Sequence, residues 1–175
     1  MTPESATPEF SRPIDVRQCE GKATTLIANE AERAALAIRF GLVRIDGLEA
    51  DVALTRKDRT VGVEGTLRAR IVQSCAVSAD DLDVAVNEPL SLRFVPEAHG
   101  HAPDEEIEFD ADDPDEIEYA GTHIDLGEAV AQSLALAIDP FLTGPNADKA
   151  RKQAGIGTPE DMSPFAALKG LKSTE

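Results

Sequence analysis

The sequence predicts an α+β fold: an antiparallel β-sheet of about five to six strands, packed with two main helices, a short C-terminal helix and a long acidic loop. Three observations carry this reading. Apolar and polar residues alternate over much of positions 49–95, the period of a half-buried strand. Segments opening at Asn29 and Asp125 place apolar residues at helical spacing behind a capping signal. The strand patterns run together instead of alternating with helices, which argues against parallel βαβ units. With 175 residues, 42% of them hydrophobic, the chain has apolar material for one ordinary core. Residues 10–172 are therefore read as a single domain behind a disordered tail over residues 1–9.

The elements follow in order. Phe10, Ile14 and Val16 share one parity, interrupted by Arg12, and mark a first strand; Pro13 cannot donate to a ladder, so this strand belongs at an edge. A short strand covers Ala23 to Ile27. Asn29 caps a helix, with Glu32 at capping-box spacing. Its apolar stripe is read as Ala31, Ala34, Ala35 and Ile38, and Gly41 ends it in the left-handed conformation. A return strand begins within Leu42 to Ile45, and Val52 and Leu54 carry the period-two pattern up to a turn at Asp58-Arg59. The next strand places Val61, Val63, Leu67, Ala69 and Ile71 on one face and Glu64, Thr66, Arg68 and Arg70 on the other, with Gly62 and Gly65 marking a bend or bulge. A further strand spans Leu82 to Val95, and Pro89 puts it at an edge or bulge. Residues 97–121 read as the acidic loop, anchored by Ile107, Phe109, Ile117 and Tyr119. Asp125 then caps a second helix, with Glu128 at capping-box spacing and a stripe of Leu126, Ala129, Val130, Ser133, Leu134, Ala137 and Ile138; Pro140 stops it. Residues 142–158 read as a polar connection. The stretch SPFAALKGLK, from Ser163 to Lys172, places Phe165, Leu168 and Leu171 on one face of a terminal helix.

Charge narrows the function classes. Lys plus Arg number 17 and Asp plus Glu 33, a net charge of -16. Such a surface repels nucleic-acid phosphate at long range and attracts basic partners. No apolar run reaches membrane-span length, and MTPESATPEF has neither the basic nor the apolar region of a secretory signal, so a cytoplasmic protein without a membrane partner is expected. The strongest charge run supplies a candidate partner-binding surface: Asp104, Glu105, Glu106, Glu108, Asp110, Asp112, Asp113, Asp115 and Glu116. Arg68 and Arg70, on the exposed parity of their strand, form a candidate RNA contact; the competing reading pairs them with Glu64 and the acidic loop. The missing aromatics on that face weaken single-strand recognition.

No phosphate-binding glycine loop, dinucleotide fingerprint or nucleophile elbow is present. Cysteine chemistry rests on RIVQSCAVS, residues 70–78. As a nucleophile, Cys75 would need His99 or His101 as a base. As a zinc ligand it lacks partners, since Val72 stands three residues before it and the chain has only two cysteines. The reading adopted is a small buried residue at a strand end, with no catalytic residue, cofactor or metal.

The cysteine-bearing strand, the run IDLGEAVAQSLALAIDP over Ile124 to Pro140, and the closing SPFAALKGLK together resemble the YceD family of bacterial and plastid proteins. That resemblance implies a non-enzymatic role in accumulation of large-subunit (23S) ribosomal RNA. Combined with the acidic charge, it suggests a basic large-subunit ribosomal protein or a pre-ribosomal particle as partner. Many members carry C-x-x-C where this chain has Val72-Gln73-Ser74-Cys75, and some carry cysteines after the late helix, where this chain reads FLTGPNADKARKQ. The resemblance thus leaves Cys75 as a degenerate cysteine position. Two other readings stand beside this one: an acidic protein-interaction module unrelated to ribosomes, and a cysteine- or metal-dependent hydrolase.

Overall fold

The computed structural model describes residues 8–97 and 115–156. Strand β1 (Pro13–Asp15) runs into a single 3-10 turn (Val16–Gln18). Then come β2 (Ala23–Ile27), α1 (Glu30–Phe40), β3 (Arg44–Lys57), β4 (Thr60–Ser74) and β5 (Asp81–Pro96). After the undescribed stretch come β6 (Asp115–Tyr119), β7 (His123–Asp125), α2 (Leu126–Ala137) and α3 (Ala147–Gln153).

The α+β class holds, but the sheet is mixed. Five strands run in the order β2-β3-β4-β5-β6, antiparallel up to β5, and β6 lies parallel to β5 with Phe94 opposite Ile117. A second sheet pairs β1 with β7 alone. Two readings are corrected here. The first strand does not join the main sheet, and residues 115–119 are not loop. Ile117 and Tyr119 repeat on one face of β6, so the apolar anchors sit at strand spacing despite the acids between them. Tyr119 is buried and its hydroxyl donates to the Arg59 carbonyl at 2.5 Å, tying β6 to the β3–β4 turn. The anchors Ile107 and Phe109 and the terminal helix over 163–172 lie outside the described residues.

Strand parity sorts the two faces. Leu48, Ala50, Val52 and Leu54 of β3 point inward with Val61, Val63, Leu67, Ala69 and Ile71 of β4, and with Val86, Leu90, Leu92 and Phe94 of β5. Each of the valine, leucine, isoleucine and phenylalanine side chains contributes about 1.5–3 kcal/mol by leaving water, the alanines less. The opposite face is open: Asp51, Ala53, Glu64, Arg68, Asn87 and Ser91 are all exposed. Asp58 closes the β3–β4 turn with a left-handed φ of 58°. Pairing continues unbroken through Gly62 and Gly65, so neither marks a bulge. Gly65 is needed for close approach instead, because a β-carbon there would stand 2.0 Å from the Asp51 carbonyl oxygen. The bulge lies in β3, between Ile45 and Gly47. Pro89 sits where β5 has β4 on one side only, consistent with its missing donor.

Both helices pack on the inner face. α1 carries the full capping box of Asn29 and Glu32, and Gly41 closes it at φ 66°. Its buried stripe is not the alanine one: Leu36 and Ala37 are buried, Phe40 packs beside them, and Ile38 is 83% exposed. The larger apolar areas of Leu36 and Phe40 outweigh the alanines in deciding which face turns inward. α2 buries Leu126, Ala129, Val130 and Leu134, as its stripe predicts. Asp125 caps it by accepting from the amides of Gly127 and Glu128, while Glu128 turns outward to pair with Arg39. α3 lies within the stretch read as a polar connection; only Ala147 of it is buried, which left no apolar period to read.

The chain's start meets its later part here. Phe10 is fully buried, and the Asp125 carboxylate also accepts from the Ser11 hydroxyl at 2.5 Å and the Arg12 amide at 2.7 Å. Arg39 of α1 reaches both Glu9 and Glu128, so one guanidinium clamps the amino-terminal segment and both helices.

Candidate functional site

Cys75 ends β4 in a tight turn. Its amide donates to the Asp80 carbonyl at 2.7 Å, and its carbonyl accepts from Ala79, which has a left-handed φ of 59°. The sulfur sits at the centre of amide donors: Gly144 and Ser78 at 3.3 Å and Val77 at 3.5 Å. The Gly144 amide, then the Ser78 hydroxyl and the neighbouring amides, pull the thiol down to about 6, against the upward push of burial. A thiolate therefore prevails at neutral pH. The residue is only 3% exposed, and the Gly144 amide its sulfur accepts from ties the end of β4 to the stretch after α2.

The burial expected of Cys75 is observed. Gly144 belongs to the stretch after α2, where the family resemblance puts further cysteines in other members. That stretch and the Cys75 turn meet: Ala76 donates to the Leu142 carbonyl at 2.9 Å, and Gln73 to that of Asp139 at 2.8 Å. The residues present do not fit zinc. The site offers one sulfur, whose acceptor capacity is taken by amides, and the position three residues earlier is the buried, apolar Val72. No group of three or more His, Cys, Asp or Glu side chains suited to a metal exists among the described residues. His99 and His101 lie outside them. Cys19 is buried, and burial raises its thiol.

Of the acidic surface, Asp104, Glu105, Glu106, Glu108, Asp110, Asp112 and Asp113 lie outside the described residues. Asp115 and Glu116 are exposed on β6, an edge strand of the sheet, and Glu116 pairs with Arg93 at 3.1 Å. In sequence, the rest of the acidic run falls between β5 and β6, two strands that pair in parallel.

The two arginines differ. Arg68 forks between Glu49, at 2.8 Å, and Asp51, so it does pair, but with the neighbouring strand β3 and not with Glu64. Glu64 instead accepts from Ser91. Arg70 is exposed and has no carboxylate partner among the described residues. It lies across the β3 bulge, where a β-carbon on Gly47 would be 3.5 Å from its Nη2. Arg33, which sequence reasoning missed, arrives from α1 at the same bulge. It donates to the carbonyls of Ala28 at 2.7 Å and Ile45 at 3.2 Å, groups left over where the β2–β3 ladder ends and the bulge begins. Asp46-Gly47, a turn dipeptide inside a strand pattern, is the signal that could have located this bulge. Arg33, Arg68 and Arg70 together line a cavity of about 440 Å³.

No helix among the described residues is long and apolar enough to cross a membrane. No curated protein and no solved structure matches the chain. A family profile described as "Large ribosomal RNA subunit accumulation protein YceD" matches residues 63–172, from β4 through both later helices. That span covers well over half of the sequence and includes the Cys75 turn, the acidic stretch and α2, and on it the chain belongs to the YceD family.

Proposed function

We propose that the protein is a non-enzymatic factor in large ribosomal subunit accumulation, and that it works by holding a basic large-subunit protein, free or on a precursor particle, against its carboxylates. The family description supports the pathway. The observation that carries the mechanism is the concentration of acids between β5 and β6 on a chain of net charge -16. Ribosomal proteins are strongly basic, so the association is steered by charge and weakens with salt. The buried Cys75 supports a structural and not a catalytic part for the thiol.

The test is an affinity capture from native lysate with the full chain and with a variant carrying Asp110→Asn, Asp112→Asn, Asp113→Asn and Asp115→Asn. A basic large-subunit protein retained after nuclease treatment, and lost from the variant while its unfolding midpoint is unchanged, is the expected result. Equal capture by the two chains would remove the carboxylates from the mechanism. Capture of proteins with no ribosomal component would favour a general acidic interaction module.

A further inference from the structure

The cavity at the β3 bulge is rich in arginine and poor in carboxylate. Three guanidiniums, from Arg33, Arg68 and Arg70, and a single carboxylate, from Glu49, line it. Glu49 is already engaged by Arg68. Arg33 and Arg70 have no carboxylate partner among the described residues, and Arg33 is held by neutral carbonyls that leave its charge uncompensated. Most other arginines are neutralised directly, among them Arg12 by Glu32, Arg39 by Glu9 and Glu128, and Arg44 by Asp46; Arg56 and Arg59, which have no such pair among the described residues, share their cavity with Asp58, Glu64 and Glu116. On so acidic a chain, two uncompensated guanidiniums facing one cavity concentrate positive charge where little is available.

The shape suits the same ligand. Gly47 and Ala85 put small walls beside the guanidiniums, and Asn87 adds a carboxamide that can both donate and accept. Arg33 is pre-organised by its two carbonyl partners, which lowers the ordering cost of binding. A planar guanidinium fork matches the oxygens of a phosphate. The volume, about 440 Å³, falls in the range of small-ligand sites and accommodates a nucleotide unit. The overall negative charge does not forbid this, because at physiological ionic strength charges farther than about 8 Å are largely screened.

We propose that this bulge cavity is a phosphate-binding site, with Arg70 and Arg33 as the anion ligands, and that it takes a backbone phosphate of single-stranded RNA. Its ligands are not among the carboxylates assigned to the protein partner, and its test stands or falls separately from theirs. With no aromatic side chain in the lining, binding is modest and tolerant of sequence.

The experiment is a fluorescence-anisotropy titration of the full chain with a short labelled single-stranded RNA, at several salt concentrations, using wild type, Arg70→Gln and Arg93→Gln. Arg93 is paired with Glu116 and does not line the cavity, so it serves as the control. Arg70→Gln is expected to weaken binding by about tenfold and to lower the salt slope by about 0.7, the share of one phosphate contact on a single strand; Arg93→Gln is expected to do neither. Inorganic phosphate and a mononucleotide are added as competitors. Full displacement by either at matched phosphate concentration supports the site but assigns it to free phosphate, whereas resistance assigns it to the strand. Backbone amide shifts confined to Arg33, Gly47 and Arg70 on adding either probe would support it independently of mutagenesis. Equal binding by Arg70→Gln and wild type, equal weakening by both variants, or no binding of either probe would overturn it.

Discussion

At the scale of single residues, Cys75 shows how position can be legible while chemistry is not. Its burial follows from its place at the end of an alternating strand. Its ionisation depends on Gly144, far along the chain, and no local pattern reports that contact. The thiol's pKa in the folded chain is about 6, against an ordinary value of 9.0 when unfolded. A group lowered by folding stabilises fully above its unfolded pKa and loses that contribution as pH falls through its folded pKa. Folding stability should therefore rise with pH between about 6 and 9 in wild type more than in Cys75→Ala. Denaturant midpoints across that window measure the difference, and parallel curves for the two chains would refute an ionised Cys75. Arg33 gives the converse lesson: an arginine on a helix face reads as solvated, and only the bulge across from it gives it carbonyls to hold.

Among the elements, the clearest strand and both long helices were legible, cap residues included. What failed were choices that depend on tertiary context. Alanines favour helices but bury little area, so their spacing points to the wrong stripe for α1. The structure turns Leu36 inward and leaves Ile38 in water. Leu36→Ala should cost about 3 kcal/mol of stability and Ile38→Ala less than about 0.5 kcal/mol, as read by chemical denaturation. Similar losses for both would mean that the face is assigned wrongly. β6 was hidden because its acids dominate the composition, although Ile117 and Tyr119 already stood two residues apart. Its parallel pairing was not readable at all, since direction depends on where the preceding segment returns. α3 is not legible in the sequence because a seven-residue polar helix has almost no buried face.

For the molecule as a whole, charge sets the expectation. Seventeen basic and 33 acidic side chains repel one another on balance, and folding brings them closer. Added sodium chloride should raise the melting temperature until the screening length falls to a few ångströms. A melting temperature that does not move with salt would show that the ion pairs already balance the surface locally. The junction of Arg12 with Asp125 has another consequence, for how the chain is made. Their hydrogen bond spans 113 residues, so the segment around Phe10 leaves the ribosome long before its partner exists. At about 5–20 residues per second, it waits roughly 6–23 s with its apolar face uncovered. The five-stranded sheet can begin to assemble during that interval, but the fold is latched only once β7 and α2 have emerged, and the segment around Phe10, made well before them, is among the last to be secured.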